Sequence, residues 1–212
     1  RDVAEGIEAT QNFLDAEAWD QAAQVAIEVA NFLAQHSNLQ RLSFAAQVLS
    51  VLPPHHHDCY LFVDHEGAAL VALGFTNEAV DRYRNLVEIC SQRAHAEPGR
   101  ADYQRDLSIS YQRIGLCLAQ LGRADDAATM FERHLKLAFD VYQRSPGQVN
   151  AVVDLTMALH LTATLNDQED ERNRQSRELL EALEADQRLP RHGKVLLENL
   201  RRGEASSHRR HQ

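Results

Sequence analysis

Glycine, proline and aromatic residues are scarce in this sequence of 212 residues, which has nine glycines, five prolines and 6% aromatics. Twisted sheets usually contain many aromatic and β-branched residues, whereas the alanine, leucine, glutamate, glutamine and arginine that dominate here favour helices. A hydrophobic share of 44% is sufficient for one large or two small globular domains. We therefore predict an all-α fold.

Basic residues are too few for a surface that binds nucleic acid. The chain has 22 Lys and Arg against 31 Asp and Glu, which gives a formal net charge of -9. Nonspecific affinity for nucleic acid comes largely from Lys and Arg that displace condensed counterions. We therefore expect no nucleic-acid partner. Only the C-terminal end is locally basic, and we interpret residues 203–212 as a basic disordered tail.

Cysteines and long apolar runs are also scarce. The three cysteines are widely spaced without a CxxC pair, so neither a disulfide framework nor a zinc cage is indicated. No segment approaches the roughly 18 apolar residues of a membrane span, and the N-terminus lacks the pattern of a signal peptide. We expect a cytoplasmic protein with no membrane partner. Because a helix signal follows Arg1 within a few residues, we also expect a fragment of a longer polypeptide.

Sequence motifs typical of enzymes are missing. There is no GxxxxGK[ST] phosphate loop, no GxGxxG after a strand and no GxSxG nucleophile elbow. His65 and Glu66 begin an HExxH pattern, but Ala69 stands where the second zinc ligand is required. We therefore expect no enzymatic activity and no cofactor. A helical hydrolase is the least favoured alternative, and it requires catalytic groups clustered in one pocket.

Histidines are concentrated in residues 55–59, which read His-His-His-Asp-Cys. Imidazole, carboxylate and thiolate groups are all metal ligands. However, consecutive histidines point in different directions, and no HxxxH or CxxC spacing places two ligands on one helical face. We therefore interpret this segment as a solvated loop between helices and expect no metal site.

A repeat with a 48-residue period organises the chain. Each copy predicts two helices, because apolar residues at helical spacing run up to a glycine and a second apolar run follows it. The second helix ends at a Pro-Gly pair. A shift of 48 residues superposes Gly67 on Gly115, Leu73 and Gly74 on Leu121 and Gly122, Ala79 on Ala127, Tyr83 on Phe131, and Pro98 and Gly99 on Pro146 and Gly147.

The pattern of Gly115, Gly122, Ala127 and Phe131 resembles the tetratricopeptide repeat (TPR). In that family the small residues allow two helices to approach closely, and the aromatic residue fills the gap between them. The resemblance implies a TPR-like right-handed superhelix of antiparallel helix pairs, with about nine or ten helices. A period longer than the usual ~34 residues is typical of the long-helix bacterial variety, whose repeats commonly follow a signalling NTPase or a caspase-like protease module.

Two positions depart from the family pattern. Glu66 stands where the family usually has leucine, and His134 stands where it usually has alanine. The resemblance therefore leaves the packing at these two positions open.

The chain divides by pattern into four segments. We predict degenerate N-terminal helical repeats in residues 1–54, core TPR-like repeats in 55–165, C-terminal capping helices in 166–202 and the basic tail in 203–212. The expected outer helices lie near residues 3–15, 18–36, 39–52 and 171–187, with a short terminal helix after Pro190. The end helices are expected to cap the stack, since an end unit must present a polar outer face.

The TPR resemblance also implies a binding surface, because the first helices of the pairs line the concave groove. Among the residues implied, Arg113 is suited to a bidentate pair with a carboxylate of a partner peptide. The alternative is that these residues are ordinary solvated helix faces. Transferring the groove positions by the 48-residue shift gives Asp64, His65, Gln112, Arg113, Leu116, Gln120, His160, Leu161 and Thr164.

The favoured hypothesis is a protein–protein interaction scaffold that binds a peptide or a partner domain, as the sensor or adaptor part of a larger signalling protein. The alternative hypothesis is an oligomerisation or autoinhibitory arm without an external ligand, for which self-association is expected. The sequence identifies no particular partner, since TPR folds host many unrelated functions.

Overall fold

The computed structural model describes the backbone of residues 2–54, 56–163 and 169–210, and their side chains except those of residues 169–170 and 203–210. Two residues that the sequence patterns single out, His55 and Thr164, therefore lie outside the described residues, as do residues 211–212 of the predicted tail.

Ten helices and no strand form the described part of the chain, which confirms the all-α prediction. None of these helices is both long enough and apolar enough to span a membrane. The helices are α1 (Val3–Asp15), α2 (Trp19–His36), α3 (Asn38–Val51), α4 (Cys59–Ala72), α5 (Thr76–Ala96), α6 (Ala101–Gln120), α7 (Ala124–Arg144), α8 (Val149–Ala163), α9 (Glu169–Ala185) and α10 (Arg191–Arg210).

The C-terminal helix is longer than predicted. The sequence predicts a short helix after Pro190 and a disordered tail from residue 203, but the backbone of α10 is helical through Arg210. Gly203 stands where the tail was predicted to begin, but one glycine inside a helix costs only about 1 kcal/mol. The end of this helix, predicted from composition and local charge to lie before residue 203, therefore lies at Arg210.

Two compact units make up the chain. Unit 1 comprises Arg1–Gln92 and Leu116–Arg123, and unit 2 comprises Arg93–Gly115 and Ala124–Gln212. In unit 1, α1 packs on α2, and α4 packs on α2 and α3. In unit 2, α8 packs on both α7 and α9, and α9 packs on α10. The short turns α1–α2 and α7–α8 make each of these two pairs an antiparallel hairpin.

The residues that carry the TPR resemblance pack as the family pattern implies. In unit 1, a Cβ atom added to Gly67 would lie 2.7 Å from Cε1 of Tyr83. In unit 2, a Cβ atom added to Gly115 would lie 2.6 Å from Cε1 of Phe131. Glycine is therefore favoured at both positions, because a side chain there would have to displace the aromatic ring of the second helix. This close approach confirms the predicted helix-pair packing.

The predicted glycine turns have the same geometry in both copies. Gly74 and Gly122 adopt φ of 86° and 72°, in the left-handed region that favours glycine. The residue after each glycine donates its N–H to a carbonyl five residues earlier, over 2.9 Å in both cases. This is the Schellman ending of a helix. Glu17 after α1 and Gln187 after α9 adopt similar φ values, 54° and 58°, without being glycine.

Glu66, the first departure from the family pattern, is a buried carboxylate in unit 1. The residue is 3% exposed, and its Oε2 atom lies 3.4 Å from Nε of Arg82. Burial raises the pKa of the Glu66 carboxyl, and the Arg82 guanidinium opposes this effect. One arginine therefore compensates only in part for a charge in the position that the family fills with leucine.

His134, the second departure, is fully buried in unit 2. Its Nδ1 atom lies 2.8 Å from Oγ of Ser108, and the same hydroxyl donates to the His134 carbonyl over 3.1 Å. Because that hydroxyl has one proton, the tautomer consistent with both contacts has the imidazole proton on Nδ1. Within the described residues, Nε2 has no hydrogen-bond partner. Burial lowers the pKa of His134 to about 4, so the ring is neutral at physiological pH.

Candidate protein-binding site

Four of the predicted binding residues lie in unit 1, and they differ widely in exposure. His65 is only 7% exposed, and its Nδ1 atom accepts a hydrogen bond from Nε of Arg41 over 2.9 Å. Asp64 is partly buried, whereas Leu116 and Gln120 are exposed on α6. The His65 ring therefore packs inside the unit, where Arg41 binds it, and its role as a binding residue stays a prediction.

The other predicted residues that the structure describes lie in unit 2. Gln112 and Arg113 of α6 are partly buried, as are His160 and Leu161 of α8. His160 already has a partner inside the unit, because its Nδ1 atom lies 3.1 Å from Oδ1 of Asn173 in α9. His160 therefore links α8 to α9. The assignment of these residues to one binding groove stays a prediction.

An apolar groove lies between α7 and α9 of unit 2, with α8 as its floor. We call it the α7/α9 groove. It encloses about 640 Å³, and its most exposed large apolar side chain is Phe139, which is 46% exposed. The groove is lined by Glu132, Leu135, Lys136, Phe139 and Tyr142 of α7, by Leu155 and Leu159 of α8, and by Gln175, Glu178, Leu179 and Ala182 of α9.

The wall formed by α7 exists because this helix has two apolar stripes. The first stripe is buried in the unit and comprises Ala127, Phe131, His134, Ala138 and Val141. The second stripe follows the first by one residue, as Leu135, Phe139 and Tyr142. One residue along an α-helix corresponds to a rotation of about 100°. The second stripe therefore lies beside the buried one and faces the open groove.

The floor and the α9 wall are fixed by contacts below the groove. Leu155 and Leu159 are buried in α8, and Leu180 and Leu183 of α9 pack in the core of unit 2 together with residues of α8 and α10. The buried Ser176 hydroxyl of α9 donates to the Thr156 carbonyl of α8 over 3.2 Å. The groove is therefore formed by packed helices and needs no loop to be ordered.

Charged side chains border the apolar surface. At one end, Arg172 of α9 forms an ion pair with Glu132 of α7, with 3.2 Å between Nη1 and Oε1. Lys136 of α7 and Glu178 of α9 are exposed, and neither forms an ion pair with any side chain that the structure describes. The rim therefore offers one cationic and one anionic group to a ligand.

Sequence reasoning did not find the α7/α9 groove. The TPR resemblance directs attention to the first helix of each pair, whereas two of the three helices around this groove are second helices, α7 and α9. The available signal is the pattern of α7, in which Leu135, Phe139 and Tyr142 are more apolar than a solvated helix face requires.

The histidine segment forms a cluster in unit 1 that sequence reasoning also did not find. Nε2 of His56 lies 3.1 Å from Oδ1 of Asp20 in α2, and the rings of His56 and His57 are stacked with centroids 4.5 Å apart. Ligand atoms of these three residues lie within 4.8 Å of one another. The Asp58 N–H donates to Nδ1 of His56 over 3.2 Å, so the ring proton is on Nε2, facing Asp20. A protonated Nε2 is a hydrogen-bond donor and not a metal ligand, so this geometry favours a contact between the loop and α2.

The contact between Ser108 and His134 has the residue types of a hydrolase nucleophile and base, but both residues are buried. A nucleophile must be reached by its substrate. The residues that line the α7/α9 groove include no serine, cysteine or histidine. The Ser108 hydroxyl is therefore not accessible to a substrate in this structure.

Comparison with known proteins gives similarity of structure only. No protein-family model matches the chain, and no curated protein matches it in sequence. The solved structure of the apo form of RapI is similar with a TM-score of 0.59 and 13% sequence identity, over 96% of this chain and 60% of that chain. The yeast histone chaperone Hif1 is similar with a TM-score of 0.58 and 13% identity, over 87% of this chain and 94% of that chain.

The fold is TPR-like. The similarities to RapI and Hif1 agree with the helix-pair packing at Gly67 and Gly115, and at 13% identity they show the fold alone. A Podosopora anserina protein with nearly identical TPR-like repeats is also similar, with a TM-score of 0.46 and 20% identity, over 87% of this chain and 95% of that chain. Hif1 itself is a scaffold protein that recruits protein complexes to core histones.

Proposed function

We propose that this protein is an interaction scaffold and that it binds a partner protein in the α7/α9 groove. The observation that carries the proposal is the open apolar surface formed by Leu135, Phe139 and Leu179 above a packed floor, with charged groups at the rim. Ligand sites are typically concave and largely apolar, with few polar groups that fix orientation. The scaffold role of Hif1, which has a similar fold, is consistent with this proposal.

The free energy available at this surface is sufficient for an interface anchor. Phe139 is 46% exposed, so a partner that covers it removes on the order of 100 Å² of apolar surface from water. At about 25 cal/mol per Å², this burial contributes about 2 kcal/mol. Because the groove is preformed, binding orders few side chains of the scaffold. Phe139 is therefore the residue that we expect to dominate binding.

The test is capture of partners by the immobilised full chain, compared between variants with the same helicity. Phe139→Asp places a charge in the groove and should abolish capture of the partner. Val195→Asp is the matched control, because Val195 is also an exposed apolar residue but does not line the groove. Equal capture by wild type and Phe139→Asp refutes the groove as the binding surface.

The residues implied by the TPR resemblance form a second proposed surface. In the same capture experiment, Arg113→Glu tests whether a partner peptide uses the first helices instead of the α7/α9 groove. Loss of capture with Arg113→Glu, and retention with Phe139→Asp, would assign binding to the first-helix surface.

The alternative role is that of an oligomerisation or autoinhibitory arm. An apolar groove with an exposed phenylalanine also fits a second copy of the chain. Light scattering after size exclusion distinguishes the two, because self-association through the groove makes the mass concentration-dependent in wild type but not in Phe139→Asp. We further propose that the chain has no enzymatic activity and serves as the sensor or adaptor part of a larger signalling protein.

A further inference from the structure

We propose that the ligand of the α7/α9 groove is an amphipathic α-helix of about three turns with an acidic residue on one flank and a basic residue on the other. This inference rests on the proposed function of the groove. It identifies the partner by its secondary structure and by its charge pattern.

The walls of the groove require a ligand that satisfies its own backbone. All lining residues belong to helices, whose N–H and C=O groups are already bonded within each helix. An extended peptide would therefore bury backbone groups against apolar side chains without partners, which is costly for each group. A helix satisfies these groups internally and presents only side chains. Peptide recognition by strand addition needs a sheet edge, and the helical walls offer none.

The dimensions of the groove set the length of the helix. The α7 wall extends from Glu132 to Tyr142, which is about 15 Å along the helix axis at 1.5 Å per residue. Three turns of a ligand helix have the same length. Apolar side chains at positions i, i+4 and i+7 of such a helix would meet the surface around Phe139 and Leu179.

The rim sets the charges of the flanks. Lys136 belongs to the α7 wall and Glu178 to the α9 wall, and neither is neutralised by an ion pair within the described residues. Glu132 is less available, because it is already paired with Arg172. A ligand helix with one acidic and one basic flank satisfies both rim charges in one of its two directions, so the rim charges also set the direction in which it binds. A ligand with two acidic or two basic flanks gains one attraction and suffers one repulsion.

Three synthetic peptides of fourteen residues test the charge pattern. All have the same leucine stripe, and their two flanks are acidic and basic, both acidic, or both basic. Fluorescence anisotropy with the full chain at low salt should show about fivefold tighter binding of the mixed peptide than of the other two, since each exposed ion pair contributes modestly. Lys136→Glu should change the preference to the peptide with two basic flanks, and Glu178→Lys to the peptide with two acidic flanks. High salt should remove these preferences.

The outcomes separate this inference from the proposed function. If no peptide binds and Phe139→Asp leaves the capture of partners unchanged, the groove is not a binding surface. If all three peptides bind equally and Phe139→Asp abolishes their binding, the groove binds ligands but the charge pattern is refuted. Circular dichroism should show an increase in peptide helicity on binding, and binding without that increase refutes the helical ligand. Dimerisation of the chain that displaces the peptides would identify a second copy as the occupant and overturn the inference.

Discussion

Replacement of His134 by leucine should make unit 2 less sensitive to acid. In the wild type, the neutral imidazole is buried beside Ser108, and protonation would place a charge in the core. The preceding copy of the repeat shows that leucine fits this position, since Leu86 occupies it after a shift of 48 residues and is buried. The Ser108 hydroxyl keeps its bond to the carbonyl of residue 134 in the variant.

The size of the effect follows from the two pKa values of the imidazole. The pKa of His134 is lowered from its ordinary 6.5 to about 4 in the folded protein, so the unfolded chain binds a proton first as the pH falls. The histidine is neutral in both states above pH 6.5, and the folded state loses stability between pH 6.5 and 4. This linkage lowers the free energy of unfolding by about 2 kcal/mol at pH 5 and by about 3 kcal/mol below pH 4, where the histidine is protonated in both states.

The measurement is urea unfolding followed by circular dichroism between pH 5 and 7.5. At neutral pH, His134→Leu should change the free energy of unfolding by less than about 1 kcal/mol, because it exchanges one buried hydrogen bond for an apolar side chain of similar volume. The difference in the free energy of unfolding between the variant and wild type should then shift by about 2 kcal/mol in favour of the variant when the pH is lowered to 5. The exposed His95→Leu is the control for loss of one imidazole. Parallel pH dependence of wild type and His134→Leu would refute the assignment of a buried neutral ring.

Three further predictions concern helix packing, a helix end and the buried carboxylate. Gly115→Ala should lower the free energy of unfolding by about 2 kcal/mol, because the added Cβ meets an aromatic ring, whereas Gly147→Ala, with open space around it, should have little effect. Gln187→Gly should raise the stability by about 1 kcal/mol in thermal melts, since glycine adopts the positive φ of this residue without strain. Because the folded-state pKa of Glu66 is raised, wild type should lose stability as the pH rises above 4.5. This loss should be absent in Glu66→Gln, which has no carboxyl, and larger in Arg82→Met, which lacks the guanidinium that opposes the rise in pKa. Urea titrations of the three proteins at several pH values measure it.

The helix pairs and their turns can be predicted from sequence because a few glycines stand where the backbone or a close contact disfavours other residues. A glycine that faces an aromatic ring, as Gly67 faces Tyr83, cannot gain a side chain without displacing the ring, and a glycine at positive φ marks a helix end. These requirements recur at a fixed spacing and are visible without a structure. By contrast, Glu17 and Gln187 end their helices in the same way and give no signal, because glutamate and glutamine are not residue types that mark a positive φ.

The candidate site is less predictable from sequence, because the exposure of a side chain depends on its neighbours. His65 has the register of a groove residue, but Arg41, 24 residues earlier, binds its ring inside unit 1. Phe139 has the spacing of a core residue, but no helix described in unit 2 covers it. The pairing of Asp20 with His56 joins residues 36 positions apart and is equally invisible in a pattern of local spacing.

Leu155 and Leu159 belong to the core of unit 2 and also form the floor of its groove. Occupancy of the groove and folding of the unit are therefore thermodynamically linked, since a ligand that binds only the native floor stabilises it by mass action. At a ligand concentration of 100 times Kd, this stabilisation amounts to about 2.7 kcal/mol. Melting temperature thus reports ligand occupancy directly, and a core mutation in α8 will weaken the apparent ligand affinity once it is severe enough to populate the unfolded unit.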